Sequence, residues 1–432
     1  MFLPEDSIFC VLSFEGPDLY SQSGGLATRA KDLVRALAGR GFETHLFFTG
    51  DPNLAPIEDA DGVRYHRWSQ WLSRLYPGGV YEAEAAKVLD WNQSLPAWLV
   101  DQVIQPAASQ GRRVVVLAEE WQTAVCVQLL DAALRARGLR PWVVMLWNAN
   151  NLYGFERLDF TALEEAATLT TVSRYMKHRM WQWRVNPIVI PNGIPSSALT
   201  APKPAQVAAI RRAAGPGFFG FKIGRFDPDK RWLMAMDALA MIKRGGRPVK
   251  LLVRGGRERH GAQVLAHARS QGLATRDLPS PSSWRQLVQL LGQHSEVEVL
   301  NLVSFLPEEL LPPIYAAADA VLANSGHEPF GLVGLEVMAA GGLAVTGSTG
   351  EDYAQGYRNA IVLETDDAIE LAAELDRLEQ RPEWGRELRR RGRATAREFI
   401  WETVLEELFD RIDLAARRQG VAASGQIGPA GP

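Results

Sequence analysis

Short runs of apolar residues recur along the chain, separated by stretches in which apolar positions repeat with helical spacing. That alternation predicts β-α units and parallel sheets, an α/β fold. In the first half, residues 8–14 read as a buried strand and residues 26–38 as a helix that stops near Gly39 and Gly41. Residues 44–49, 114–118, 142–146 and 168–172 read as further strands, with a helix over 124–137. The second half restarts the pattern. Strands are expected at 219–223, 249–253, 297–302, 320–323 and 343–346, and helices at 232–242, 308–317, 332–340 and 368–378. Two Asn/Gly/Pro/Ser clusters within 191–204 mark the join. The expected organisation is a first domain over 1–195, a second over 196–398, a helix over 399–418 and a disordered tail over 419–432. Two stretches break the pattern: 69–98, rich in aromatics, and 257–296, long and polar. Doubly wound sheets bind ligands beyond the carboxyl ends of their strands, so two such domains would face each other across a cleft.

Composition narrows the class. With 432 residues the chain exceeds one ordinary core, and 47% hydrophobic against 22% charged residues is a globular balance. A formal net charge of −3 gives no basic field to recruit nucleic acid. The N-terminal residues carry acids and no basic leader, and no apolar run approaches the ~20 residues that span a bilayer. A cytoplasmic protein is expected. Cys10 and Cys126 lie in or beside apolar runs and are expected to be buried free thiols. The seven histidines show no metal-ligand spacing, so no metal is expected.

Three loops carry candidate chemistry. The strand at 320–323 runs into Asn324-Ser-Gly326 and then His327-Glu-Pro-Phe-Gly-Leu-Val-Gly-Leu-Glu336. Pro329 suits a helix start, and the N–H groups of Phe330, Gly331 and Leu332 would be free to meet sugar hydroxyls or phosphate oxygens. Glu336 is the one charge on an otherwise apolar helix, and paired ribose hydroxyls would satisfy both its oxygens. An internal partner such as a buried Arg or backbone N–H groups would do the same. Gly224-Arg-Phe-Asp-Pro-Asp-Lys-Arg231 joins a strand to a helix and brings Arg225 and Lys230 to one loop, a planar fork and a point charge suited to a diphosphate. Ordinary surface charges are the plainer alternative. Gly24 and Gly25, between the first strand and helix, allow close backbone approach to a ligand or simply a tight turn.

Together these residues resemble the large retaining glycosyltransferase family that includes glycogen synthase and sucrose synthase, the family 4-like, group 1 bacterial transferases. The resemblance runs over residues 8–409. It rests on Gly24-Gly25, Val189-Ile-Pro-Asn-Gly-Ile194, Gly224-Arg225 with Lys230, Phe305-Leu306-Pro307, and Glu328-Pro-Phe-Gly331 with Glu336. It implies the GT-B architecture of two Rossmann-like domains and transfer of a hexosyl unit from a nucleotide-diphosphate sugar to a hydroxyl acceptor without metal or other cofactor. On this likeness Arg225 and Lys230 hold the diphosphate, Glu336 the ribose, and Glu328 with the following N–H groups the transferred sugar. Phe305 and Leu306 lie near the base, and Gly24 and Gly25 close over the phosphates. The base, whether UDP, GDP or ADP, is left open, as are the acceptor and the oligomeric state.

One departure stands out. Many relatives carry a histidine after the strand matching 142–146, where this chain reads Trp147-Asn-Ala-Asn-Asn151. Asn148 or Asn150 could supply a hydrogen bond there but cannot titrate. The missing histidine makes a catalytically idle nucleotide-sugar binder one alternative, and a nucleotide-sugar epimerase of similar two-domain build is the other.

Overall fold

The run Ser7-Ile-Phe-Cys-Val-Leu12 is buried at every position, as a central strand of a parallel sheet must be when helices cover both faces. In the computed structural model, which describes residues 2–256 and 258–421, it is β1, the middle of an eight-stranded sheet. The others are β2 (Glu43–Thr49), β3 (Ile57–Ala60), β4 (Val63–Trp68), β5 (Arg113–Glu119), β6 (Val143–Ala149), β7 (Thr168–Thr171) and β8 (Ile188–Val189). Their order is β3-β4-β2-β1-β5-β6-β7-β8. All neighbours pair in parallel except β3 and β4, an antiparallel hairpin turned by Asp61 and Gly62, both at positive φ. The sheet order reverses direction between β1 and β5, so the loops after these two strands flank the switch point.

The chain divides into two units, Met1–Pro195 with Trp401–Pro432, and Ser196–Ile400. In the first, helix Trp401–Arg418 presents Trp401, Leu405, Leu408 and Ile412 to the same core as Val11, Leu33 and Leu146. Residues 397–399 form a short 3-10 turn before it. The tail expected to be disordered falls, from 422 on, outside the described residues. Cys10 and Cys126 are buried and free, and burial pushes the Cys126 thiol up to about 12.

The second unit has seven strands, all pairing in parallel: β9 (Phe218–Ile223), β10 (Val249–Arg254), β11 (Thr275–Leu278), β12 (Val299–Leu302), β13 (Ala320–Ala323), β14 (Ala344–Thr346) and β15 (Ile361–Val362). The order β11-β12-β10-β9-β13-β14-β15 puts the switch point between β9 and β13. One face is sealed by helix Trp232–Arg244, whose Trp232, Ala235, Met236 and Leu239 pack with Leu251, Val253, Leu322 and Val345. Both units are doubly wound α/β. Among the described residues no helix is long and apolar enough to cross a membrane.

Candidate functional site

The loops after β9 and β13 carry the charged motifs, and the switch point brings them together. Gly224 leaves β9 at φ 147°, a conformation that side-chain-bearing residues rarely adopt. Phe226 then turns inward against Trp232, ring centroids 4.7 Å apart, and the indole N–H donates to the Arg225 carbonyl at 2.8 Å. With the backbone pinned, the Arg225 side chain is exposed and has no hydrogen bond or ion pair among the described residues. Asp227 caps the short turn Pro228–Lys230 by accepting from the Asp229 N–H at 2.9 Å.

Asp229 ties this loop to the one after β13. Its carbonyl accepts from the Gly326 N–H at 2.7 Å, and its carboxylate from the His327 N–H at 3.1 Å and the His327 ring at 2.9 Å. Lys230 Nζ then meets Glu328 Oε2 at 2.6 Å, and Ser325 Oγ donates to the same oxygen at 2.9 Å. Thus Lys230 and Glu328, ninety-eight positions apart in the chain, form one half-buried pair.

Gly331 at φ 80° opens helix Leu332–Ala339. A Cβ there would lie 2.9 Å from Glu351 Cγ and 3.0 Å from Glu328 Cγ, so glycine is required by conformation and by space. The first-turn N–H groups of this helix have no partner within it, and they carry the positive end of its dipole. Phe330 contributes only backbone, because its ring is buried against Tyr353 and Phe399. Glu336 lies in the second helical turn, half-buried, and accepts from the Tyr315 hydroxyl at 3.3 Å. Phe305 is exposed in the loop after β12, whereas Leu306 is buried. The second unit therefore gathers Arg225, Lys230, Glu328, Gly331 and Leu332 at one strand edge, with Glu336 on the following helix.

Two groups at this edge escape motif reading. Glu351 is buried, and burial plus the neighbouring Glu328 charge raise its carboxyl to about 7. Its Oε2 accepts from the Thr349 N–H at 3.2 Å, while Oε1 is buried without a hydrogen-bond partner among the described residues. Lys222 is buried within β9. The signal for Lys222 is visible in sequence, a lysine inside Phe218-Phe-Gly-Phe-Lys-Ile223; nothing local marks Glu351.

The first unit's switch point is acidic. Glu15, after β1, accepts from the N–H groups of Gly24 at 3.0 Å and Ala27 at 3.2 Å through Oε2, and from the Tyr81 hydroxyl through Oε1. The start of helix Gly25–Gly39 is thus already occupied by a carboxylate. Glu119 ends β5 in a buried ion pair with Arg29, Nε to Oε1 3.1 Å. Asn148 and Asn150 both donate side-chain N–H to Glu119 Oε2, at 2.8 and 2.7 Å. Glu120 is buried at φ 70°, and burial is the main cause that raises its carboxyl to about 8, with Glu119 adding to it. One Glu120 oxygen accepts from the Asn150 N–H at 2.7 Å; the other has no partner among the described residues.

The strand expected over 142–146 is shifted. Pairing of Trp147 with Ala118 and of Asn148 with both Glu119 and Thr170 carries β6 on to Ala149. Asn148 is therefore inside the strand and buried, with its amide oxygen accepting from Thr170 Oγ1 at 2.9 Å. Asn150 is the first of the pair to leave the sheet. Of the aromatic stretch, Trp91 is core, and Trp98 packs on Phe47, His66 and Trp68, while Trp71 is 60% exposed. Among the described residues no group of three or more His, Cys, Asp or Glu is arranged to hold a metal ion.

Two doubly wound α/β units in one chain define the GT-B fold. Residues 209–399, most of the second unit, match the family model described as Glycosyl transferases group 1. The chain is 31% identical over 139 residues to a D-inositol 3-phosphate glycosyltransferase of Salinispora tropica, covering 31% of this chain and 28% of that protein. It is 32% identical over 173 residues to the protein of the same name from Actinosynnema mirum, covering 36% of this chain and 38% of the other. The matched segments thus span well under two thirds of these relatives. In structure the chain resembles sucrose-phosphate synthase from Thermosynechococcus elongatus, with TM-score 0.68 and 21% identity over 95% of this chain and 100% of the other.

Proposed function

We propose that this protein transfers a glycosyl unit from a nucleotide-diphosphate sugar to a hydroxyl acceptor, with retention of configuration and without a metal ion. The observation that carries the reading is the meeting of Lys230 and Glu328 at 2.6 Å, beside exposed Arg225 and the helix start at Gly331. Arg225 and Lys230 would balance the two charges of a diphosphate, and their attraction grows as the leaving group gains charge. Glu328, already next to Lys230, would accept a hydroxyl of the sugar while the N–H groups after Gly331 meet its other oxygens. Glu336 would take the ribose. Preorganised charge of this kind stabilises departure of the diphosphate without a metal. On the first unit, the carboxyl group of Glu120 and the amide of Asn150 are suited to the hydroxyls of a neutral or polyol acceptor. The relatives are named for an inositol phosphate, so a polyol is the first acceptor to try, with and without the phosphate that the acidic edge of the first unit disfavours.

The idle-binder reading draws support from Asn148, whose amide is committed to Glu119 and Thr170. Labelled UDP-, GDP- and ADP-sugars, incubated with polyol and sugar acceptors in excess EDTA, separate the readings. Transfer with the donor's anomeric configuration kept in the product supports the enzyme. Nucleotide binding with no transfer or hydrolysis supports the binder, and activity that needs added magnesium contradicts metal independence.

A further inference from the structure

Strand β9 is apolar except for Lys222, which is 2% exposed. A desolvated ammonium needs acceptors, and both of those it finds lie across the switch point. Lys222 Nζ donates to the Leu322 carbonyl at 3.0 Å and to Asn324 Oδ1 at 2.5 Å, and lies 4.9 Å from the centroid of the Trp232 ring. Asn324 is fully buried and begins the turn that leads to Glu328. The charged groups that act on Lys222 are Lys230 and Arg231 from the loop after β9 and Glu328 from the loop after β13. Burial first, then the two cations, hold its ammonium well below the usual lysine range, and Glu328 opposes them.

We propose that Lys222 is a positioning residue of the donor site: it fixes the Asn324–Gly326 turn that aims Glu328, and its buried charge adds to that of Lys230 on a bound diphosphate. This rests on the donor-site reading above. A neutral side chain of similar length could fill the same space in the sheet. What only lysine adds is a donor for Asn324 and a charge whose strength depends on pH. Bound diphosphate places negative charge nearby and favours the protonated form, so binding takes up a proton.

The test is calorimetry with UDP, GDP, ADP and dTDP and the matching nucleosides, across pH and in buffers of different ionisation enthalpy. Lys222→Met leaves the Asn324 oxygen without a donor and can unfold the unit, so Lys222→Met/Asn324→Leu, which replaces the pair with apolar groups, is measured beside it. The expected result is nucleoside diphosphate affinity about tenfold weaker in the double variant, with unchanged nucleoside affinity and loss of the proton uptake seen in the parent. A folded double variant that binds the diphosphate with the parent's affinity and proton uptake overturns the inference alone. A parent protein that binds none of the four diphosphates overturns the donor-site reading and this inference with it.

Discussion

The two switch points share a fold and differ in sign. At the β9/β13 edge, Arg225 is exposed without a partner among the described residues, Lys230 is paired, and a helix start opens beside them. At the β1/β5 edge, Glu15, Glu119 and Glu120 crowd together, and Glu15 already fills the helix start at Gly24 and Ala27. Fold alone would make both edges suitable for phosphate, since each ends a parallel strand at a helix. The side chains decide otherwise. A polyanion meets cations in the second unit and carboxylates in the first, so the second suits the donor and the first suits hydroxyls. For Gly24 and Gly25 to approach phosphates as the resemblance implies, the carboxylate of Glu15 would have to give up its N–H partners.

The comparison is broken most sharply at Glu328. Glu328→Gln should cut turnover by about 10²–10³, the loss typical of one transition-state contact, while nucleotide affinity stays nearly intact. Steady-state transfer beside calorimetry reads both, and an equal loss in binding would move Glu328 from the sugar to the nucleotide. Glu336→Gln should weaken free nucleotide by about 1–3 kcal/mol through loss of charge-assisted hydrogen bonds. Unchanged affinity would leave Tyr315 as the partner that matters to Glu336. In the first unit, Asn150→Ala should slow transfer about tenfold with little change in donor affinity, and Asn148→Ala should do the same with added loss of stability. Donor binding that falls with either variant would contradict the division between the units.

The smallest effect is on stability against pH. Glu120 is raised in the folded state to about 8 from an ordinary 4.5. The folded protein therefore holds a proton that the unfolded chain releases between those values, and stability declines as pH rises through that window. Glu120→Gln should flatten the decline and gain a few degrees in Tm at pH 8 and above. Thermal unfolding followed across pH 5 to 9 checks this, and an unchanged slope would mean that Glu120 ionises freely in the fold.

Much of this was legible in the chain. Buried parallel strands are mostly apolar, so β1, β5, β9 and β13 announce themselves, and the α/β class follows from their alternation with helices. The loops 224–231 and 327–336 stand out as candidates because charged residues and glycines follow a strand end at short, fixed offsets. Edge elements are harder. β11 reads Thr-Arg-Asp-Leu and is half exposed, with no apolar run to mark it. The β3-β4 hairpin has weak alternation, and its signal is the Asp61-Gly62 turn. The extension of β6 over Asn148 depends on pairing with two neighbours, which no local pattern encodes. The same holds for Glu15 and Glu351, whose roles arise from what the fold sets beside them.

The central claim, that the second unit's switch point grips a diphosphate, is tested most directly by calorimetry on Arg225→Ala and Lys230→Ala. The ligands are whichever of UDP, GDP, ADP and dTDP binds the parent protein, and the matching nucleoside. Each substitution should cost about 1.5–3 kcal/mol for the diphosphate and leave the nucleoside nearly unchanged. Because Lys230 also holds Glu328, Lys230→Ala and Glu328→Gln should combine non-additively in turnover. Equal losses for diphosphate and nucleoside, or no loss for either, would place the phosphates elsewhere and contradict the account.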